Sequence, residues 1–368
     1  MTKKGHIAIF LATSGHSGVE RVMGNLIKGL GEAGHRVDLI RIKKHGPYLT
    51  EVPQNVRIIE LNTSHVTSAL PFLIKYLKKN RPHSLLTDKD RVNRIAILSK
   101  YISRSPVRLV VRIGTTVTEN LRKRSAFDRS LQLFSIRHLY PLADRILVPS
   151  KGAQKDLIDI APGLSEKISV VKSPIIDDDF HLRANSIPDH PWFKGKSCPI
   201  VLGAGELCRR KDFETLIKAF SLVLKEIDAR LIILGKGKRR KKLLSLSSEL
   251  GISDKIDLPG FMKNPLPFMA NADCFCLTSR CEGLPVVLIE ALGTGTSVVS
   301  TDCPSGPREI LGGGKYGRLV KIGDVEGLRD AIIDTLKNPI APEKLKQAVD
   351  RYTIHSGTRD YARWLLPV

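Results

Sequence analysis

The sequence lacks several features that would assign it to a common class of protein. None of its apolar runs reaches the roughly 18–20 residues that a membrane-spanning helix requires. Aromatic residues make up only 5% of the 368 residues, and neither a zinc-finger spacing nor an aromatic RNA-binding signature is present. The six cysteines are scattered, which favours reduced thiols over a disulfide framework or a metal site. The apolar run Ile7–Leu11 leads into a glycine loop rather than a cleavage site, so we interpret it as a first core strand.

Acidic residues are scarce in the first half of the chain. Residues 1–172 contain 30 Lys and Arg against 13 Asp and Glu, and residues 173–368 contain 29 against 24, so most of the net charge of +22 lies in the first half. Such asymmetry indicates an anionic partner. Since no nucleic-acid signature is present, we expect a cytoplasmic protein that is peripheral on the anionic membrane leaflet.

A candidate membrane segment lies within this basic half. The cluster Arg122–Arg124 precedes a predicted helix over 127–139 that combines further cations with an apolar side. An alternative interpretation of this segment is a core helix with a solvated basic face.

The order of the predicted elements indicates an α/β protein. Hydrophobic residues make up 42% of the chain, which excludes a disordered class, and the length suits two domains. Apolar strands alternate with amphipathic helices throughout, as in domains with parallel sheets. We predict a first α/β domain over 1–172, a second over 173–350 and a C-terminal segment over 351–368, with its helix near Thr358–Leu366.

The segment Glu282–Glu290 carries the clearest functional signal. Two glutamates lie eight positions apart, and Gly283-Leu284-Pro285 follows the first of them. Pro285 suits the first turn of a helix, and the positive start of that helix can accept a phosphate. Two carboxylates beside a phosphate site can accept hydrogen bonds from sugar hydroxyls. The alternative is an amphipathic helix with incidental acids.

A second loop brings cations to the same edge of the predicted sheet. Gly205-Glu206-Leu207-Cys208-Arg209-Arg210-Lys211 follows a predicted strand over 200–204 and precedes a helix. Strand, loop and helix recur after Cys274 and again after Ser297, as in half of a doubly wound nucleotide-binding domain. Clustered cations at the carboxyl end of a strand can neutralise a diphosphate.

These motifs resemble a known enzyme family. The two glutamates of Glu282–Glu290, the run Asp302–Leu311 and the pattern Gly205-x-Leu207-x3-Lys211 are together similar to the retaining glycosyltransferases of family 4. The resemblance is most specific over about 198–330 and continues more weakly to the N-terminus. It implies the GT-B fold, in which two Rossmann-like domains face each other and a C-terminal helix crosses back to the first domain.

The resemblance also implies roles for individual residues. Lys211 and Glu282 would be catalytic, together with Arg209 or Arg210, because Glu206 stands where the family usually has an arginine. The residues expected to bind the donor are Gly15, Gly18, Gly205, Phe261, Gly283, Leu284, Pro285 and Glu290. On the acceptor side we expect His16, Asn93 and Arg112, although Gly114 replaces the His or Asp of many relatives. A metal or other cofactor is not implied.

The predicted function is therefore transfer of a sugar from a nucleotide diphosphate, with UDP favoured, to a hydroxyl of a membrane-associated glycan or lipid-linked acceptor. Synthesis of a cell-envelope polysaccharide or glycolipid would use this reaction. Two alternatives remain at this point. One is a sugar-nucleotide epimerase or hydrolase on the same fold, and the other is a basic scaffold that binds nucleic acid.

Overall fold

The computed structural model describes residues 4–13, 18–49, 51–122 and 124–366. The chain forms two compact units. The first unit comprises Met1–Ile175 and Arg351–Val368, and the second comprises Ile176–Asp350. None of the helices in the described ranges combines the length and the apolar sequence that a membrane-spanning segment requires.

Each unit is built around one sheet. The strands of the first sheet are β1 His6–Leu11, β2 Arg36–Ile42, β3 Val56–Leu61, β4 Ser84–Asp88, β5 Arg108–Arg112, β6 Arg145–Val148 and β7 Ile168–Val170. The strands of the second are β8 Ile200–Ala204, β9 Arg230–Leu234, β10 Ile256–Gly260, β11 Cys274–Leu277, β12 Val298–Thr301 and β13 Arg318–Val320.

Helices connect the strands. The first eight are α1 Gly18–Glu32, α2 Leu70–Asn80, α3 Asp90–Ser103, α4 Val117–Leu121, α5 Ala126–Phe134, α6 Lys151–Ile160, α7 Phe180–Ala184 and α8 Pro191–Lys194. The next eight are α9 Phe213–Val223, α10 Arg240–Glu249, α11 Leu266–Asn271, α12 Val286–Gly293, α13 Pro307–Ile310, α14 Val325–Lys337, α15 Pro342–Gln347 and α16 Ile354–Leu365. Ser135–Leu139 extends α5 as a π-helical turn.

The two sheets share one topology. The order is β3-β2-β1-β4-β5-β6-β7 in the first unit and β10-β9-β8-β11-β12-β13 in the second, with parallel pairing throughout. In the first sheet Ile9 lies opposite Leu39 on one side and Leu86 on the other. In each sheet the order of strand addition therefore reverses at a central pair of neighbouring strands. The pair is β1 and β4 in the first sheet and β8 and β11 in the second, and doubly wound folds bind ligands at this point. The predicted α/β class with parallel sheets is confirmed.

The C-terminal helix belongs to the first unit, as expected. The side chain of Thr353 caps α16 by accepting a hydrogen bond from the backbone N–H of Ser356 at 3.3 Å. One face of α16 packs on α1, β4 and β5. Gly29 of α1 allows the close approach, since a Cβ there would lie 2.2 Å from Oγ1 of Thr358.

Helix α5 exposes apolar side chains and buries a polar one. Phe127 is 77% exposed and Phe134 is 54% exposed, whereas Gln132 is only 4% exposed. The two phenylalanines are seven positions apart and therefore lie on one side of the helix. The alternative of a core helix with a solvated basic face describes the segment in part, because Leu133 packs against the hydrophobic core, Ile136 is fully buried and Arg129 is exposed, but it does not explain the exposed phenylalanines.

Candidate functional site

The predicted donor residues of the second unit lie on two neighbouring loops. The loop after β8 carries Gly205 and Lys211, and the loop after β11 carries Glu282. Because β8 and β11 are the central pair at which the strand order reverses, both loops lie at the carboxyl edge where such folds bind ligands.

Glu282 holds the two loops together through its carboxylate. Nζ of Lys211 lies 2.8 Å from Oε1, and a guanidinium nitrogen of Arg210 lies 2.8 Å from Oε2. The hydroxyl of Ser279 also donates to Oε1, at 2.7 Å. Burial alone would raise the pKa of the Glu282 carboxyl, but the charges of Lys211 and Arg210 outweigh burial and lower it. The carboxylate is therefore ionised and held in place at neutral pH.

Hydrogen bonds to backbone carbonyls fix the relative positions of these loops and of the loop after β12. The hydroxyl of Thr278 donates to the carbonyl of Lys211 at 2.9 Å, and the N–H of Arg280 donates to the carbonyl of Arg210 at 2.8 Å. The N–H of Glu282 donates to the carbonyl of Pro304 at 2.8 Å. The cations and the carboxylate thus sit on a connected scaffold rather than on independent loops.

Two glycines make this arrangement possible. Gly205 has a φ of +153°, and a Cβ there would lie 2.9 Å from Cε of Lys211. Gly306 has a φ of +98°, and a Cβ there would lie 2.6 Å from Cδ of Pro285. A larger residue at either position would displace the lysine stem or the start of α12.

Helix α12 begins at Val286, one residue after Pro285, which the sequence predicted to lie in its first turn. Pro285 is the N-cap, with a φ of −74° and a ψ of 94°, and the helix runs from Val286 to Gly293. Glu290 is consequently just over one turn inside the helix, rather than two, because the chain between Glu282 and Pro285 is not helical. Glu290 is 1% exposed, while Leu284 is partly exposed ahead of the helix start.

The structure distinguishes the two candidate replacements for the missing family arginine. Arg210 contacts Glu282, as described above, whereas Arg209 is exposed and lines a separate cavity. Arg210 therefore joins Lys211 in the ion-pair cluster around Glu282, and Arg209 does not, while the catalytic role of either arginine stays a prediction. The chain turns between these neighbours, and their side chains diverge.

The remaining donor-side candidates differ in accessibility. Phe261 follows β10 directly and is 44% exposed at the carboxyl edge of the sheet. Gly18 is the exposed first residue of α1 in the first unit. Gly15 and His16 lie outside the described residues.

Asn93 and Arg112 are buried and have structural partners. The amide of Asn93 donates to the carbonyl of Arg112 at 3.0 Å and to the hydroxyl of Tyr140 at 3.1 Å. Arg112 forms an ion pair with Asp88 at 3.0 Å and donates from Nε to the hydroxyl of Tyr361 at 2.8 Å. Asn93 is fully buried and Arg112 is 3% exposed, so both side chains are engaged within the first unit, and their place on the acceptor side stays a prediction.

Sequence reasoning missed the hydroxyls that support the cluster. Ser279 precedes Glu282 by three positions, and Ser305 donates to the carbonyl of Gly283 at 3.2 Å. A serine three residues before a motif glutamate was the available signal. Cys303 lies close by, but burial, followed by the charge of Glu282, raises the pKa of its thiol to about 12, so it stays protonated.

Comparisons with known proteins identify the family of the chain. The family described as Glycosyl transferases group 1 matches residues 189–352, and Glycosyltransferase Family 4 matches residues 16–179. A Campylobacter jejuni protein named N-acetylgalactosamine-N,N'-diacetylbacillosaminyl-diphospho-undecaprenol 4-alpha-N-acetylgalactosaminyltransferase is 30% identical over 352 residues, which cover 93% of this chain and 92% of that relative.

Solved structures are similar over nearly the whole chain. The lipopolysaccharide outer core galactosyltransferase WaaB, in its apo form, matches with a TM-score of 0.75 and 18% identity, over 98% of both chains. Anabaena Alr3699/HepE in complex with UDP and glucose matches with a TM-score of 0.76 and 18% identity, over 97% of this chain and 98% of that one. The GT-B fold is confirmed, and the chain belongs to the group 1 glycosyltransferases of family 4.

Proposed function

We propose that this glycosyltransferase moves a sugar from a nucleotide diphosphate, UDP in preference to GDP, to a hydroxyl of a lipid-linked or glycan acceptor, with retention of the anomeric configuration. The product would belong to a cell-envelope polysaccharide or glycolipid. The observation that carries the proposal is the cluster of Lys211, Arg210 and Glu282 beside the start of α12. Cations, a carboxylate and a helix start together provide partners for a diphosphate and for sugar hydroxyls.

Binding of the donor would exchange one set of ion pairs for another. Lys211 and Arg210 pair with Glu282 in this structure. A diphosphate carries more charge than one carboxylate and would take over both cations. Glu282 would then accept hydrogen bonds from the sugar, and Glu290 would accept from the ribose hydroxyls.

The cations matter most as the bond to the leaving group breaks. The bond between the anomeric carbon and the phosphate oxygen breaks, and negative charge grows on the departing diphosphate. Lys211 and Arg210 would stabilise that charge from positions that the loop hydrogen bonds already fix. The acceptor oxygen bonds to the anomeric carbon on the same face, and its proton passes to the leaving phosphate. We propose that this reaction needs no metal ion.

The names of similar proteins support the choice of substrates. The HepE structure holds UDP and glucose, and the name of the Campylobacter relative includes a diphospho-undecaprenol substrate. A lipid-linked acceptor requires that the enzyme work at a membrane surface. Helix α5 provides a surface of suitable chemistry, since Phe127 and Phe134 are exposed on a helix that follows Arg122 and Arg124.

The first experiment identifies the donor and tests the site. Thermal shift of the purified protein against a panel of UDP- and GDP-sugars should single out one UDP-sugar, and Glu290→Ala should lose that shift. Transfer is then assayed with and without acceptor, with EDTA present, and the product anomer is assigned by NMR. Turnover of the donor to a new sugar nucleotide without acceptor would indicate an epimerase instead. An inverted product, or loss of activity in EDTA, would refute the corresponding part of the proposal.

A second experiment tests attachment to the membrane. Each cation near an anionic surface contributes on the order of 1 kcal/mol, weakened by salt. Co-sedimentation with anionic vesicles should fall for Arg122→Glu/Arg124→Glu and for Phe127→Ser/Phe134→Ser. Leu182→Ser is the matched control, because Leu182 is 74% exposed but lies in the second unit. Equal binding to neutral and anionic vesicles, or an equal loss in the control, would refute attachment through α5.

A further inference from the structure

The second unit contains a basic cavity beside the donor loops. Its volume is about 380 Å³, and it lies between the loop after β8, the starts of α9 and α10, and the loop after β11. Its charged lining residues are Arg209, Asp212, Glu214, Arg239, Lys242 and Arg280. Four cations thus face two carboxylates, and the cavity keeps an excess of positive charge.

The carboxylates leave part of this charge uncompensated. Glu214 forms ion pairs with Arg239 and, at 3.1 Å, with Lys242. Asp212 pairs with Arg280 at 2.9 Å. Arg209 has no carboxylate partner among the residues that the structure describes, and its side chain is exposed. The two carboxylates therefore pair with three of the cations, and the fourth, Arg209, is available to bind an anion.

The cavity is distinct from the donor cluster. Arg210 and Lys211 contact Glu282, whereas the preceding Arg209 lines the cavity. Arg239 and Lys242 belong to the start of α10 and pair with Glu214, not with Glu282. The proposed transfer reaction does not involve the cations that line the cavity.

We propose that this cavity binds the phosphoryl group of a second ligand, a phosphate monoester or pyrophosphate. A phosphoryl dianion would neutralise the excess charge, and the flat guanidinium groups of Arg209, Arg239 and Arg280 match the spacing of phosphate oxygens. The volume lies in the range of small-molecule sites and leaves room for more than a bare ion. The ligand is either a soluble phosphorylated molecule or the phosphate headgroup of a lipid.

Calorimetric titration with inorganic pyrophosphate tests the site. Arg209→Gln/Lys242→Gln removes two lining cations, while Lys225→Gln/Lys241→Gln removes two exposed lysines, one just after α9 and one in α10, that do not line the cavity. We expect the cavity variant to lose about tenfold or more in affinity, and the control to bind as wild type. Lys211→Ala disrupts the donor cluster and should still bind one equivalent of pyrophosphate.

Three results would overturn the proposal. The first is unchanged pyrophosphate affinity in the cavity variant. The second is an equal loss of affinity in the control variant, which would indicate non-specific attraction. The third is complete loss of binding in Lys211→Ala, which would mean that the donor site alone binds pyrophosphate. The single variant Lys242→Gln guards against misfolding, because this side chain is 62% exposed. It should reduce the affinity in part.

The source of the phosphate is distinguished with vesicles. Vesicles of phosphatidylcholine with phosphatidic acid present a phosphate monoester at a surface, and pure phosphatidylcholine vesicles do not. If the cavity variant alone loses phosphatidic-acid binding, and pyrophosphate competes with it, the ligand is a headgroup. If only pyrophosphate binding depends on the cavity, the ligand is soluble. If neither phosphatidic-acid binding nor pyrophosphate binding depends on the cavity residues, the proposed site is refuted.

Discussion

Replacing Lys211 separates the structural role of the ion-pair cluster from its proposed catalytic role. In Lys211→Met the Glu282 carboxylate keeps Arg210 and Ser279 but loses a cation at 2.8 Å. Since one charged partner remains, we expect a loss of about 1–3 kcal/mol in the free energy of unfolding rather than the larger cost of an isolated buried charge. Turnover should fall by about a hundred- to a thousandfold, because the cation would act on the leaving diphosphate.

The pH dependence of the stability loss has a definite sign. The pKa of Glu282 is lowered from its ordinary value of 4.5, so the cluster stabilises the fold above that value and loses its contribution as the pH falls through the folded pKa. The stability difference between wild type and Lys211→Met should therefore be present at pH 7 and shrink in acid below about pH 4. Urea denaturation at several pH values measures it.

The decisive comparison is a double variant. Lys211→Met/Glu282→Gln removes both charges of the pair, so it should recover part of the lost stability. It should not recover turnover, which is measured as nucleotide release from the donor found in the thermal-shift panel. The control Lys218→Met replaces an exposed lysine of α9 and should match wild type in both measurements. Wild-type turnover in Lys211→Met, or recovery of turnover in the double variant, would refute the catalytic role of Lys211.

Three further changes test the nucleoside site and two buried networks. Glu290→Ala should weaken UDP binding by about ten- to a hundredfold, since it removes charge-assisted hydrogen bonds to the ribose, and calorimetry will detect unchanged affinity if the nucleoside binds elsewhere. Tyr361→Phe removes the buried acceptor of Arg112 and should cost about 1–3 kcal/mol in urea denaturation, whereas a cost near zero would show that the contact is dispensable. Burial would raise the pKa of Asp38, but hydrogen bonds from His6, Arg57 and Tyr76 hold it below its ordinary value of 3.8. Asp38→Asn should therefore destabilise the protein at pH 7 and progressively less below about pH 4, and a pH-independent difference would contradict this explanation.

Regular elements bounded by clear signals could be predicted from the sequence. The strand over 200–204 lies where it was expected, because a short apolar run ends there at a glycine. Helix α14 was not predicted, although its sequence carried a signal. Asp324 caps it by accepting from the N–H of Gly327 at 2.9 Å, and Leu328 and Ile332 recur at helical spacing behind the cap.

Side-chain directions on loops could not be predicted in the same way. Arg209 and Arg210 are adjacent and chemically identical, so only the turn of the loop decides which of them contacts Glu282. The same limit applies to α5. Its pattern indicates a helix with an apolar side, but whether that side is covered depends on neighbours distant in sequence, and in the structure Gln132 is buried while Phe127 is exposed.

The two units use the carboxyl edge of the same topology for different purposes. In the second unit the loops after the central strand pair carry Lys211 and Glu282, which pair with each other and which we propose to be the partners of the donor. In the first unit Asp88 ends β4, the strand paired with β1, but its partner Arg112 is buried and also bonds the hydroxyl of Tyr361 on α16. Separating Asp88 from Arg112 would leave a buried charge without its partner, which costs several kcal/mol. The Asp88–Arg112 pair therefore anchors the C-terminal helix in the first unit, whereas we propose that the Lys211–Glu282 pair exchanges its partners for a substrate.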